Sequence, residues 1–214
     1  KNYERELLIL IADFGYKQKS ILNDSILAYV LKNNKYSVKH LTDLEDKYEY
    51  SLNKDLIQKL KKLEFDDEEI RERQGLTFEQ REPLMKQVDK KNDSIIKNYI
   101  ITNGFPSKKV IGDFSLGLLF NHFSYNGSYD FYKETLPSFI KNGTCNPSNY
   151  AALIDRWYLM NKSEPFYFMT WFDKIKTIEN DSEKIKEINS RRKKIGLPSI
   201  RQEKIVFERE LKLE

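Results

Sequence analysis

The stretch AALIDRWYLM, residues 151–160, decides how this chain is read. Ala151, Ala152, Leu153, Ile154, Trp157, Leu159 and Met160 make it apolar enough for a core helix. Just upstream, Asn146 is a natural N-cap and Pro147 suits the first helical position. Together they predict a helix running to about Asn161. The difficulty is the adjacent pair Asp155-Arg156 inside it. Helix neighbours point about 100° apart, so these two cannot bond as residues four apart do. A half-buried charge without a partner costs several kcal/mol, so each must find one elsewhere. His122, Arg191 and Arg192 are candidates for Asp155; the acidic cluster from Glu64 to Glu72, or Asp89, is the candidate for Arg156.

Outward from this helix the same logic repeats. Residues 17–33 carry Ile21, Leu22, Ile26, Leu27, Val30 and Leu31 at helical spacing. A further helix is predicted over roughly 53–63, and the acidic run Glu64 to Glu72 reads as the start of another, because carboxylates oppose the positive end of the helix dipole. Thr77 with Gln80 forms a capping-box pattern that opens a long helix to about Thr102, closed by Asn103-Gly104 with Pro106 beyond. Ser107 then caps a helix to about Phe123, and Asp181 a last clear one ending at Gly196 and Pro198, with a terminal helix expected over 200–212. The aromatic segment EPFYFMTWF, residues 164–172, is compatible with a short strand or hairpin arm. The expectation is a mainly α protein: a compact multi-helix domain over 52–214, preceded by an N-terminal helical extension over 1–51.

Composition narrows the function classes. The 214 residues include 37 Lys+Arg against 33 Asp+Glu, a net charge of +4 with the signs interspersed, which disfavours a nucleic-acid partner. The run Arg191-Arg192-Lys193-Lys194 sits where cations complement a helix C-terminus, which explains it without a phosphate ligand. The longest early apolar run, LLILIA, is too short to span a bilayer. Opening at Lys1 rather than Met is compatible with a trimmed targeting segment upstream, so both a cytoplasmic and an exported location stay open. One cysteine, Cys145, excludes an intrachain disulfide, and neither His40 nor His122 stands in a metal-binding spacing. No metal or cofactor is expected, and no phosphate loop or nucleophile-elbow motif occurs.

If Ser107 to Phe123 is one helix, His122 lies about 20° from Ile111 around its axis, on an inward face. Gly117 beside it leaves room for a close approach. An inward histidine and a half-buried carboxylate are the kind of pair that tunes an imidazole for acid–base work.

Four pieces in order carry a resemblance: Asp89-x-x-Asn92; Gly104-Phe105-Pro106 with Gly112 and His122; Ala152-Leu153-Ile154-Asp155-Arg156; and Asn189-x-Arg191-Arg192-x-x-x-Gly196-Leu197-Pro198. Over roughly residues 52–200 this resembles a bacterial family of unknown function with G-W-P, Q-H, L-x-D-R and R-R-x-x-G-L signatures. The resemblance implies a mainly helical fold and singles out Asp89, Asn92, His122, Asp155, Arg156 and Arg191 or Arg192. The chain departs from it in three places. Q-H becomes Asn121-His122; D-Q-x-x-R is reduced to Arg73-Gln74; and Y-G-T-Q gives way to Phe166-Tyr167-Phe168-Met169.

Two readings follow. The first is a non-catalytic binding or interaction domain with a buried polar cluster, taking a protein or small-molecule ligand through Arg156, Arg191, Gln74, Asn121, Asp89 and Asn92, with the aromatic segment around Trp171 as a further surface. The alternative is a small hydrolase- or transferase-like enzyme using His122 and Asp155 as an acid/base pair.

Overall fold

A computed structural model describes residues 3–33, 36–123, 127–169, 178, 180–203 and 205. The fold is mainly α, and no strand forms among the described residues. None of the described helices is long and apolar enough to cross a membrane. The chain divides into two units: residues 1–61 with 106–114, and residues 62–105 with 115–214.

The first unit is built from α1 (Tyr3–Phe14), α2 (Gln18–Asn23), α3 (Ser25–Asn33), α4 (Val38–Ser51), the start of α5 (Lys54–Glu72), and the short α7 (Lys108–Ile111). Leu7, Ile11, Ile21 and Leu41 form its core, with Leu8, Leu27, Val30 and Leu44 packed around them. The helix expected over 17–33 is broken at Asp24. Its N–H closes α2 on the Ile21 carbonyl, while its Oδ1 accepts from Leu27 N–H at 3.0 Å and caps α3. Tyr48 donates to the Lys108 carbonyl at 2.9 Å and joins α4 to α7. The same ring occupies the space a Cβ on Gly15 would need, at 2.1 Å.

The acidic run from Glu64 does not start a new helix. α5 continues unbroken to Glu72 because no Gly or Pro interrupts it and its charges pair at i,i+4: Lys62 with Asp66, Asp67 with Arg71, Glu69 with Arg73.

The second unit contains the rest of α5, then α6 (Phe78–Asn103), α8 (Gly117–Phe123), α9 (Tyr129–Lys141), α10 (Pro147–Lys162) and α11 (Ser182–Lys194). α6 opens with the expected capping box: Gln80 N–H donates to Thr77 Oγ1 at 3.4 Å, and Thr77 N–H to Gln80 Oε1 at 2.9 Å. α10 and α11 also start as expected, on the Asn146 and Asp181 side chains.

The single helix predicted from Ser107 to Phe123 is two helices. Gly112, at φ 64°, ends α7 in a left-handed conformation, and the helix restarts at Gly117. The shared face inferred for Ile111 and His122 therefore does not exist.

α10 packs against α8 and α9, burying Tyr150 to Asp155. Phe120 lies edge-on to Phe123 and Tyr132, at 5.6 and 5.2 Å between centroids, and stacks on Phe105.

Residues 164–169 form an irregular loop rather than a strand, with Phe168 at φ 56°. Its polar backbone groups are bonded to side chains, as described below, which removes the need for a neighbouring strand. Residues 170–172, Trp171 among them, lie outside the described residues. So does most of the expected terminal helix, although residues 200–203 are helical.

Candidate functional site

On α5 the buried positions run Leu56, Leu60, Leu63, Asp67, Ile70: an apolar seam with an aspartate inside it. On α6 they run Asp89, Asn92, Asp93, Ile96, Ile100, a seam polar at one end. The two polar segments meet. Arg71 forks onto Asp67, Nε to Oδ2 at 3.1 Å and Nη2 to Oδ1 at 2.9 Å, and reaches Asp89 Oδ1 at 2.5 Å. One turn along, Asn92 is fully buried and donates through Nδ2 to the Leu63 carbonyl at 3.0 Å, with its Oδ1 unpartnered.

The third wall is α8, which delivers His122. Its Nδ1 lies 3.0 Å from Asp67 Oδ2, yet outside hydrogen-bonding alignment, so this buried nitrogen makes no hydrogen bond. The imidazole is 16% exposed, whereas the Asp67 side chain behind it is 2% exposed. One oxygen of Asp67, one of Asp89 and one His122 nitrogen lie within 4.8 Å of one another.

Burial dominates the electrostatics and is answered differently at each group. Asp89 is pushed up to about 6 by desolvation, against the opposing pull of Arg71. Burial would also raise Asp67, but His122 and Arg71 outweigh it and hold the carboxyl below its usual range. Next along α6, Asp93 accepts from the Tyr132 hydroxyl at 2.8 Å and is raised by burial.

A second polar knot lies elsewhere in this unit. Asp155 is fully buried, and its oxygens accept the backbone N–H groups of Tyr167 and Met169 at 2.5 and 2.6 Å. Arg192, also fully buried, donates to the carbonyls of Tyr167 and Phe168 at 2.8 and 3.4 Å, to that of Pro198 at 2.7 Å, and to the Glu203 carboxylate. Aspartate and arginine thus hold the N–H and C=O groups of one loop between them, and the left-handed Phe168 sits inside that clamp.

The residues singled out by sequence divide accordingly. Asp89, Asn92 and His122 come together. The carboxylate beside His122 is Asp67, and the oxygens of Asp155 are taken by backbone amides rather than by His122, Arg191 or Arg192. The cation on Asp89 is Arg71 rather than Arg156. Arg156 is half-buried on α10, and Asn121 half-buried beside His122. Arg191 lies 4.3 Å over the Phe166 ring, and Gln74 is exposed in the turn between α5 and α6. Asp67 and Arg71 were missed, although the signal was present: read as one helix, residues 54–72 put Asp67 into an apolar seam. A cleft of about 480 Å³ between the C-terminal ends of α9 and α11 contains none of these groups. No family model, curated protein or solved structure matches this chain.

Proposed function

We propose that this chain is a non-catalytic binding domain whose ligand site is the polar cluster of α5, α6 and α8, with His122 as its accessible member. The observation that carries this reading is the part-exposed imidazole backed by a buried carboxylate, itself gripped by Arg71. Four ionisable groups on three helices cost much desolvation, and a hydrophobic replacement of such a network is often neutral or stabilising. A ligand that uses the imidazole gives the arrangement a purpose.

The resemblance described from the sequence singles out Asp89, Asn92 and His122, which this cluster contains.

The test is a thermal-shift screen of the full chain against amino acids, nucleotides, sugar phosphates and short peptides. A compound at 100 times its Kd stabilises by about 2.7 kcal/mol. The stabilisation is expected in the wild type and absent in His122→Ala; a ligand equally effective on both would contradict this site.

The same pair supports a second reading, an acid–base enzyme in which His122 moves the proton and Asp67, rather than Asp155, orients the ring. Turnover of the bound compound, dependent on His122 and followed by NMR, would favour it over simple binding.

A further inference from the structure

We infer that Asp67, Asp89 and His122 form a site for a divalent transition-metal ion, with Arg71 holding both carboxylates in place. This rests on the reading of the polar cluster as the binding centre and names the ion that occupies it.

Three potential ligand atoms, two carboxylate oxygens and one His122 nitrogen, lie within 4.8 Å of one another, each contributed by a different helix. Ligands at right angles on an ion about 2.1 Å away stand about 3.0 Å apart. The Nδ1 to Asp67 Oδ2 separation is 3.0 Å.

An independent observation concerns direction. At that distance a histidine serving as an ion-pair partner aims its N–H at the carboxylate, whereas this Nδ1 is misaligned with it and is buried without a hydrogen bond. A buried ring nitrogen 3.0 Å from a carboxylate oxygen and without a hydrogen bond is placed as a ligand of an ion shared with that carboxylate.

The charge balance agrees. Two buried carboxylates face one guanidinium, and a dication bound between them would compensate the second carboxylate. The remaining positive charge would then favour a hydroxide or an anionic oxygen of the ligand at an open position. Arg71 Nε donates to Asp67 Oδ2, the same oxygen that lies 3.0 Å from His122 Nδ1, so that oxygen would serve the guanidinium and the ion together. Arg71 bonds Asp67 in a fork and reaches Asp89 through Oδ1, as the outer hydrogen bonds of metal sites do when they fix ligand orientation.

One imidazole with two carboxylates and no thiolate suits Zn²⁺, Mn²⁺, Co²⁺ or Ni²⁺ rather than Ca²⁺, which prefers oxygen ligands alone. No local motif announces the site, because its members come from three separate helices.

The experiment uses the full, tag-free chain stripped with a chelator and titrated with ZnCl₂ by calorimetry and with MnCl₂ by NMR. The chain has two histidines, His40 and His122, so Mn²⁺ is expected to broaden the His122 imidazole signals and spare those of His40. Zn²⁺ should bind at one equivalent, weaken at least about tenfold in Arg71→Gln, and lose specific binding in His122→Ala and Asp89→Asn. His40→Ala should bind as the wild type does. The NMR measurement needs no variant and stands even if a substitution unfolds the chain. Absence of Zn²⁺ uptake, uptake unchanged in a folded His122→Ala, or equal broadening of both histidines would overturn the inference. An organic ligand that requires His122 in a chain that takes up no metal would overturn the metal site and leave the binding reading standing.

Discussion

Asp155 and Asp67 are both buried aspartates, and the protein accommodates them by different means. Asp67 is held by the guanidinium of Arg71 and faces an imidazole. Asp155 is surrounded by peptide N–H groups, whose bonds offset only part of the burial cost, so its carboxyl is pushed up to about 6. The sign of the linkage follows. Between the ordinary aspartate value of about 4 and about 6, the folded chain keeps a proton that the unfolded chain has released. The stability associated with that proton is complete below about pH 4 and is lost as the pH rises through 6. Asp155→Asn removes this titration and sets an amide NH₂ against a backbone N–H, so it should destabilise the fold by roughly 1–3 kcal/mol. The gap between wild type and variant, measured by urea unfolding at pH 4, 5, 6 and 7, should narrow as pH rises. A widening gap would mean that the folded carboxyl titrates below its unfolded value.

Individual helices begin and end where local chemistry tells them to. The Thr77–Gln80 box satisfies donors at the start of α6, which no preceding turn can reach. Thr77→Ala should therefore cost about 1 kcal/mol and lower the Tm by about 2–4 °C, read from the helical circular dichroism signal. An unchanged Tm would show that water replaces the cap without loss. The same local chemistry explains the two breaks that periodicity alone overlooks. Asp24 and Gly112 lie in sequences of acceptable helical pattern, but one caps a new helix with its carboxylate and the other adopts a left-handed turn. The opposite misreading, a helix start at Glu64, came from weighing the acidic run as an end signal when its members pair with bases four residues away.

At the scale of the whole chain, each unit has a core of its own. Ile11 is fully buried among Leu7, Ile21 and Leu41 in the first, and Phe120 is fully buried among Phe105, Phe123 and Tyr132 in the second. Truncating either to alanine should cost about 2–5 kcal/mol. Hydrogen exchange monitored by mass spectrometry should locate the loss: Ile11→Ala should first expose the amides of α1, α3 and α4, and Phe120→Ala those of α8, α9 and α10. Uniform loss of protection from either variant would argue for one cooperative core instead.

The sequence by itself determined that the chain is helical and where most helices start, because caps, glycine stops and apolar spacing act within a few residues of one another. It also marked Asp155 as a charge in need of a partner, whereas Asp89, Asn92 and Arg192 were singled out by the family resemblance. What they bond to was decided by tertiary structure. Asp155 was satisfied by a loop's amides rather than by a cation, and His122 met an aspartate from α5, since partner choice depends on which helix faces pack together. Spacing within one helix carries the direction in which a side chain points but not what stands opposite it.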